Sequence, residues 1–278
     1  MSIIMNGKEV AQKVRNGLKE EVTKLKQDGK ILKFAVIMVG DNSASKIYIK
    51  NKSKACAEVG IECEEYILDS SIEMKELLNL IEKLNNREDI HGILLQSPIP
   101  KHLDIDEAFR TIKPEKDVDG FNLVNVGKLC LGQDCFVACT PLGVMKLLEE
   151  YSIDIEGKNA VVIGRSNIVG KPMLQCLLNK NATVTICHSK TKNLLEITKN
   201  ADIIVAAVGR EKFVTGDMIK QGAVVIDVGI NRLEDGTICG DVDFESAKDK
   251  ASYITPVPGG VGPMTVAMLM SNIVKASK

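Results

Sequence analysis

Short apolar runs that alternate with helical repeats are the feature that most constrains the fold of this chain. Residues 34–39, 92–96 and 160–163 are apolar runs of strand length, and each ends at a glycine or at a polar, proline-containing turn. Segments with a helical period alternate with these runs, and the first of them, with Val10 and Val14, precedes residue 34. Because strands buried on both faces are continuously apolar, and strand–helix–strand alternation requires a parallel sheet covered by helices, the sequence predicts an α/β fold.

The alternation is interrupted once, which predicts two domains. A loop-rich stretch with several prolines runs from Ser97 to Cys139, and a helix is predicted to begin at Thr140, with Pro141 in its first turn. A length of 278 residues fits two domains of roughly 100–200 residues. We expect domains at residues 1–139 and 140–261, with a final helix at 262–278 that returns to the first domain.

Charge and hydropathy exclude several classes of protein. The chain has 36 Lys plus Arg and 37 Asp plus Glu, a formal net charge of -1, so no basic excess points to nucleic acid or an anionic membrane. No apolar run approaches the roughly 18 residues of a membrane span, and the N-terminus lacks the pattern of a signal peptide. We expect a cytoplasmic protein with no nucleic-acid partner and no membrane partner.

The eight cysteines do not follow the spacing of a metal or redox motif. Cys130, Cys135 and Cys139 cluster loosely, but no histidine nearby completes a ligand set. The pattern favours unpaired thiols in a reducing compartment over a metal site.

A glycine-containing turn follows the apolar run at 160–163. Gly164 stands where the strand is predicted to end, Gly170 where a helix begins, and Ser166 takes the place of the middle glycine of a dinucleotide-binding fingerprint. Such a turn binds pyrophosphate because the helix N-terminus offers N–H groups and a partial positive charge. The strict GxGxxG pattern is absent, so the motif alone leaves a plain strand–helix turn open.

The residues after the next strand bear on the choice of cofactor. NAD-binding folds carry an acidic residue about 20 positions on, whereas this strand ends at Cys187-His188-Ser189-Lys190. Arg165, Ser189 and Lys190 are predicted to hold a 2′-phosphate, which favours NADP, with NAD as the alternative. The competing structural interpretation is that Arg165 and Lys190 are solvated surface charges. Ile230 follows Gly229 at the end of a later strand, and we expect it to pack on the cofactor.

The first half contains residues suited to acid–base chemistry. Ser45, Tyr48 and Lys52 share one face of a predicted helix at Ser43–Val59. A phenol beside an amine can orient a substrate and relay a proton, provided that burial or a neighbouring cation lowers the pKa of the amine. Because the helix carries further lysines, this face is equally explained as an ordinary polar helix surface.

Two other positions lie near predicted strand ends or turns. Gln96 ends the apolar run at 92–96, at the sheet edge where sites form in parallel α/β folds, although a capping amide explains it equally. Asp117 and Asp119 lie in a turn, and because no other ligands accompany them the sequence predicts no metal site.

Five segments together resemble one protein family over essentially the whole chain, in the same order and at similar spacing. They are Tyr48-Ile49-Lys50-Asn51-Lys52 and residues 96–100, 114–120, 164–172 and 256–265. The family is the bifunctional methylenetetrahydrofolate dehydrogenase/methenyltetrahydrofolate cyclohydrolase, in its short bacterial form.

The resemblance implies an architecture and two reactions. It implies an N-terminal α/β catalytic domain, a C-terminal Rossmann-type dinucleotide-binding domain with a parallel sheet, and an active-site cleft between them. It implies oxidation of 5,10-methylenetetrahydrofolate with NADP to the 5,10-methenyl form, followed by hydrolysis to 10-formyltetrahydrofolate. It also implies that the protein is a homodimer. The small molecule that it would bind is a tetrahydrofolate-derived substrate.

Residue roles follow from the same resemblance. Lys52 matches the catalytic lysine, Tyr48 the tyrosine that stacks on the folate, Gln96 the glutamine that tunes the lysine, and Asp119 the aspartate that holds the pterin. The family's folate-lining loop matches Pro258, Gly259, Gly260 and Val261. Its cofactor contacts match Gly164, Arg165, Ser166, Ser189 and Ile230.

Two other functions compete with this one. A different NADP-dependent dehydrogenase with a lysine acid/base, acting on a small amino or keto acid, fits the same fold class. A non-catalytic nucleotide-binding module would not need Lys52. Asp119 and the loop at 256–265 favour the folate enzyme over the keto-acid dehydrogenase, because a simple keto acid has no pterin edge to bind.

Overall fold

The computed structural model describes residues 2–278, which divide into two compact units. The first unit contains the described residues up to Ala11 together with Thr140–Thr265. The second unit contains Gln12–Cys139 together with Val266–Lys278. Each unit is therefore built from two separate stretches of the chain.

Helices and strands alternate along much of the chain. In the first half they are β1 (Ile3–Ile4), α1 (Gly7–Gln27), β2 (Lys33–Val39), α2 (Ser43–Val59), β3 (Glu62–Leu68), α3 (Met74–Asn85), β4 (Gly92–Leu95), α4 (Ile105–Thr111) and α5 (Leu123–Cys130). In the second half they are α6 (Cys139–Glu150), β5 (Asn159–Ile163), α7 (Gly170–Leu178), β6 (Thr183–Cys187), α8 (Leu194–Lys199), β7 (Ile203–Ala206), β8 (Val224–Asp227), β9 (Asn231–Arg232), β10 (Ile238–Cys239), α9 (Phe244–Lys248), β11 (Tyr253–Ile254) and α10 (Val261–Ala276).

The second unit contains a three-stranded parallel sheet in the order β3-β2-β4. The central strand β2 is buried along almost its whole length, as its continuous apolar sequence predicts. Leu77, Ile81 and Leu84 recur at helical spacing on α3 and form one core with Ile37 and Ile93 of the sheet. Burial of this helix face holds α3 against the strands and brings the carboxyl ends of β2 and β4 side by side.

The first unit contains a six-stranded sheet in the order β1-β11-β8-β7-β5-β6, and every pair in it is parallel. The strand order reverses between β5 and β7, which is the point where dinucleotides bind in doubly wound folds. The core contains Val161, Ile204, Val225 and Ile254, one from each of four strands. The predicted α/β class and Rossmann-type sheet are confirmed.

The prediction of a loop-rich stretch at 97–139 was partly wrong. The helices α4 and α5 lie there, with Asp104 and Asn122 as side-chain N-caps. Both helices have eight residues or fewer, too short for a clear helical period. The final helix begins at Val261, one residue before the predicted start at 262, and Pro263 is tolerated in its first turn, where a missing N–H breaks no hydrogen bond.

Residues 2–278 lack two kinds of feature. No helix in this range is long and apolar enough to cross a membrane. Within the same residues, no group of three or more His, Cys, Asp or Glu side chains is arranged to hold a metal ion.

Candidate active site

The helix α2 positions Tyr48 and Lys52 in the second unit. Its start is fixed by Asn42, whose side chain accepts a hydrogen bond from the backbone N–H of Ser45 at 3.0 Å, and Gly60 ends it in a left-handed conformation. Tyr48 and Lys52 lie one turn apart on the same face. Tyr48 is 47% exposed, whereas Lys52 is partly buried, so a broad aromatic surface is available beside an amine.

Lys52 contacts Gln96 directly. The Nζ of Lys52 donates a hydrogen bond to Oε1 of Gln96 at 2.9 Å. The other end of that amide is also engaged, because Nε2 of Gln96 donates to the backbone oxygen of Ser97 at 2.7 Å. Gln96 is buried and continues β4, with its backbone N–H donating to Ile37 of β2. The amide is therefore held with its oxygen toward the amine, and it offers a neutral acceptor.

Asp119 lies in the same unit, in the turn before α5. Desolvation of its carboxyl raises the pKa of Asp119 above the usual value, and the positive charge of Lys52 opposes that rise. The turn depends on Gly120, which has φ of 77° and whose added Cβ would lie 2.5 Å from the backbone nitrogen of Ala138. Only glycine fits this position, and it lets the chain turn directly after Asp119.

Asp117 is the buried anchor of that turn. Its carboxylate accepts backbone hydrogen bonds from Gly120 and Phe121 at 3.1 Å and from Asn122 at 2.8 Å, and a side-chain bond from Asn125 at 2.8 Å. Desolvation outweighs these donors and raises the pKa of Asp117 to about 6. The two aspartates, which the residue pattern without the family resemblance left undistinguished, therefore differ: Asp117 organises the loop and Asp119 is partly exposed.

Two residues that the sequence did not single out for a role beside Asp119 support the same loop. Asn272 of α10 is buried, and its side chain donates to the backbone oxygens of Val118 at 2.8 Å and Val137 at 3.1 Å. Cys139 donates from Sγ to the oxygen of Val118 at 3.4 Å. Burial raises the pKa of the Cys139 thiol well above its usual value, so it is a structural thiol rather than a nucleophile. An asparagine within a mostly apolar helix was the available signal for Asn272.

The glycine turn lies in the first unit, at the carboxyl end of β5. Gly164 has φ of 124°, and an added Cβ would lie 2.1 Å from the backbone oxygen of Ala207 in the adjacent chain segment. A Cβ on Gly170 would lie 2.2 Å from the oxygen of Gly164. Ser166 takes the middle position, and its Oγ accepts hydrogen bonds from the backbone N–H groups of Val169 and Gly170. Both glycines are therefore required sterically, one for the turn and one for close packing of helix on strand.

The side chains predicted to contact the cofactor follow three strands of the same sheet. Arg165 and Ser166 follow β5, Ser189 follows β6, and Ile230 follows β8, all at the carboxyl edge. All four are exposed, and Ile230 is exposed by 54%. The edge that parallel α/β sheets use for ligands thus carries one cationic side chain, two hydroxyls and one exposed apolar side chain.

The loop at 256–260 also belongs to the first unit. Gly259 has φ of 109°, and its oxygen accepts a hydrogen bond from the backbone N–H of Lys8 at 3.2 Å. Pro258 is exposed, whereas Gly259, Gly260 and Val261 are buried. With Asn6 and Tyr151, the loop lines an open cavity of about 420 Å³. Of the four predicted loop residues, Pro258 thus exposes its side chain, while the rest form the buried part of the loop.

The two halves of the chain each match a described domain of one family. Residues 5–119 match the catalytic domain of tetrahydrofolate dehydrogenase/cyclohydrolase, and residues 138–278 match its NAD(P)-binding domain. The chain belongs to the tetrahydrofolate dehydrogenase/cyclohydrolase family. The resemblance stated from the sequence is thereby confirmed. The catalytic-domain match includes Tyr48, Lys52, Gln96 and Asp119, and the NAD(P)-binding match includes the glycine turn.

Individual members of this family are similar along their whole length. The bifunctional protein FolD of Bacillus cytotoxicus is 56% identical over 278 residues, which cover 100% of this chain and 97% of that protein. The crystal structure of the bifunctional FolD methylenetetrahydrofolate dehydrogenase/cyclohydrolase from Campylobacter jejuni has a TM-score of 0.99 and 53% identity, covering 100% of this chain and 99% of that one. The Trypanosoma brucei enzyme, complexed with NADP cofactor and inhibitor, has a TM-score of 0.95 and 38% identity, covering 99% and 97%.

Proposed function

We propose that this chain is a bifunctional enzyme of one-carbon folate chemistry. It oxidises 5,10-methylenetetrahydrofolate to 5,10-methenyltetrahydrofolate with NADP and then hydrolyses the product to 10-formyltetrahydrofolate. The observation that carries the proposal is the contact of Lys52 with the held amide of Gln96, within a chain whose two halves match the two family domains.

Asp119 and Tyr48 are suited to hold the folate. A pterin presents an amino group and a ring N–H side by side, and a carboxylate accepts both, so Asp119 would bind it in a bidentate manner. Tyr48 offers an exposed ring beside Lys52, which suits stacking against the flat rings of the substrate. Asp117 and Asn272 hold the Asp119 loop in place before the substrate binds.

Lys52 supplies the acid–base chemistry of the hydrolysis. Water attacks the methenyl carbon, which is electrophilic because it shares the positive charge of the amidinium group. The neutral amine of Lys52 accepts a proton from that water and returns it to the ring nitrogen as the carbon–nitrogen bond breaks. The hydroxyl proton is then released as the formyl carbonyl forms. Gln96 holds the amine in place through a neutral acceptor rather than through an ion pair.

The first unit carries the residues that fit NADP. The glycine turn admits a close backbone approach, and Gly164, Arg165, Ser166, Ser189 and Ile230 would hold the dinucleotide. When bound, NADP supplies a hydride acceptor. Arg165 and Ser189 would engage the 2′-phosphate, and the absence of a carboxylate at 187–190 favours NADP over NAD. The loop of Pro258, Gly259, Gly260 and Val261 would line the folate site.

The proposal extends to domains, assembly and compartment. Folate binding and hydrolysis are assigned to residues 1–139 with the returning helix at 262–278, and NADP binding to residues 140–261. The family matches at 5–119 and 138–278 support this division.

The protein works as a homodimer in the cytoplasm, and the buried thiols of Cys56 and Cys139 fit a reducing compartment. Light scattering over a concentration series tests the assembly, and a monomer mass throughout would exclude the homodimer.

The deciding experiment follows both reactions in one purified protein. The protein is mixed with 5,10-methylenetetrahydrofolate and either NADP or NAD, and absorbance reports the reduced cofactor and the methenyl product. Hydrolysis is measured in a separate assay that starts from 5,10-methenyltetrahydrofolate. The proteins compared are the wild type, Lys52→Met and Lys50→Met. Lys50 is an exposed lysine of the same helix and is the matched control.

We expect NADP reduction by the wild type and loss of hydrolysis by about 100-fold or more in Lys52→Met, with Lys50→Met near wild type. Activity with NAD alone would keep the reaction but reject the assignment of Arg165 and Ser189. A folded protein that reduces neither cofactor with this folate would leave the alternative, an NADP-dependent dehydrogenase for a small amino or keto acid.

A further inference from the structure

Asp241 is a buried carboxylate in the first unit that takes no part in the two proposed reactions. It has 0% exposure and follows β10. Its Oδ2 accepts hydrogen bonds from the backbone N–H groups of Val208 at 2.6 Å and Gly209 at 2.9 Å. Its Oδ1 accepts from the N–H of Arg210 and from the side-chain amide of Asn231, both at 2.9 Å. One side chain therefore joins the segment after β7 to the segment after β8.

A second buried carboxylate, Asp227, holds the first one in position. Its Oδ1 accepts from the backbone N–H groups of Gly229 and Asp241, and its Oδ2 accepts from Val242, each at 2.9 Å. The backbone N–H of Asp227 in turn donates to Oγ1 of Thr255 at 2.7 Å. The two aspartates thus act in series: Asp227 fixes the backbone of Asp241, and the Asp241 side chain fixes the two segments.

The backbone around these carboxylates leaves no space for adjustment. A Cβ on Gly229 would lie 2.3 Å from Oδ1 of Asp241, and a Cβ on Gly240 would lie 1.8 Å from Oδ2 of Asp227. Both glycines are therefore needed so that the chain can wrap closely around the acids. Because burying a carboxylate is expensive unless donors surround it, this arrangement specifies one conformation of both segments.

These segments lie where the dinucleotide is expected. The peptide between Ala207 and Val208 is one planar unit: its carbonyl oxygen lies against Gly164 of the glycine turn, and its N–H donates to Asp241. Ile230 is flanked by Gly229 and Asn231, which contact Asp227 and Asp241 respectively. The carboxylates therefore fix both neighbours of Ile230 and the peptide that packs against Gly164.

We propose that Asp241, held by Asp227, is a positioning residue for the dinucleotide: it fixes the segments at 207–210 and 229–231 and thereby sets Ile230 and the glycine turn in their binding geometry. The inference rests on the proposed NADP function of this edge. Asp241 acts through the backbone and Asn231, and it contacts neither reacting group.

The test compares three variants in the full chain. Asp241→Asn keeps the size but replaces one acceptor oxygen by an amide that faces N–H donors. Asn231→Ala removes one donor and leaves both carboxylates in place. Asp235→Asn is the matched control, because Asp235 is exposed in the turn between β9 and β10 and bonds only within that turn, to Thr237. Each protein is assayed for the KM of NADP in the oxidation and for hydrolysis of 5,10-methenyltetrahydrofolate without NADP.

We expect the KM for NADP to rise by about tenfold or more in Asp241→Asn and by about threefold in Asn231→Ala. Hydrolysis without NADP should stay within about twofold of wild type, because the residues that carry it are elsewhere in the chain. Asp235→Asn should match the wild type in both assays. A purely structural role would instead lower both activities in parallel.

Three outcomes are distinguishable. An unchanged KM for NADP in a folded Asp241→Asn protein overturns the inference. If Asp241→Asn does not fold, Asn231→Ala decides: a selective rise in the KM for NADP supports the inference, and an unchanged or parallel response overturns it. A wild-type protein that neither reduces NADP nor hydrolyses the folate would instead reject the proposed function itself.

Discussion

Lys52 and Gln96 form a hydrogen bond of 2.9 Å in which the amine donates and an amide oxygen accepts. The amide cannot turn over without losing its own bond to the Ser97 carbonyl. Since the acceptor is neutral, it orients the amine without fixing its charge. This relationship distinguishes the pair from an ion pair, in which the lysine would stay protonated.

The variant Gln96→Glu should convert this contact into an ion pair. A carboxylate beside Lys52 stabilises the ammonium form, and it also faces the Ser97 carbonyl without a donor. We expect hydrolysis of 5,10-methenyltetrahydrofolate to fall by about tenfold or more, measured as kcat. Gln133→Glu, which changes an exposed glutamine in the same unit, serves as the control. Wild-type hydrolysis by Gln96→Glu would contradict this account of the pair.

Asp117 should make stability fall as pH rises through the weakly acidic range. The pKa of Asp117 is raised from 3.8 to about 6 in the folded protein, so the folded state holds a proton that the unfolded state has already lost. The contribution of Asp117 to the free energy of unfolding is complete below pH 3.8 and disappears as pH rises to about 6. The difference between the two pKa values corresponds to about 3 kcal/mol.

Urea unfolding at several pH values between about 4 and 7 measures this effect. The free energy of unfolding of the wild type should fall more across that range than that of Asp117→Asn, which cannot titrate. Asp28→Asn, at an exposed position, should follow the wild type. Parallel curves for the wild type and Asp117→Asn would show that this carboxyl does not titrate as described.

Ser189→Asp should weaken NADP binding selectively. The added carboxylate would repel the 2′-phosphate and could accept from a ribose 2′-hydroxyl, as in folds that prefer NAD. We expect the KM for NADP to rise by about tenfold while that for NAD falls or stays constant. Ser189→Ala, which removes the hydroxyl without adding charge, should raise the KM for NADP by only about threefold. An unchanged ratio of the two KM values in Ser189→Asp would place the 2′-phosphate elsewhere.

Gly164→Ala should disrupt the glycine turn. The position has φ of 124°, and the new Cβ would lie 2.1 Å from the Ala207 oxygen, which is backbone and cannot move aside. We expect a loss of about 2 kcal/mol in the free energy of unfolding and a rise of about tenfold in the KM for NADP. Gly17→Ala is the contrasting control, because Gly17 lies within α1 with open space around it and should gain up to about 1 kcal/mol. Equal stability of the two variants would refute the steric argument.

Local patterns predicted most of the regular structure. The helix at Ser43–Val59 was predicted at its observed bounds, because its start signal, apolar face and terminal glycine are all close in sequence. The buried strands at the centres of both sheets were found for a similar reason, since burial on both faces gives an uninterrupted apolar run. Short elements such as α4, α5 and the two-residue strands were missed because they contain too few residues to show a period.

The supporting residues around the candidate site could not be predicted in the same way. The sequence gives Asp117 and Asp119 the same chemistry, and only the fold buries one beneath four N–H donors. Asn272 lies more than 130 residues from Val137, which it binds. Asp241 is 33 positions from Val208. Such roles depend on contacts between distant parts of the chain, which no local spacing reveals.

The second unit needs residues 266–278 to be complete, since Asn272 supplies the hydrogen bonds that hold the loop of Asp119. A ribosome adds those residues long after it has made Gln12–Cys139. The sheet β3-β2-β4 can therefore form early during synthesis, but the turn of Asp119 stays without its Asn272 support until the last helix has emerged. Truncation within that helix would consequently leave the turn of Asp119 unsupported while leaving intact the strands that carry the glycine turn.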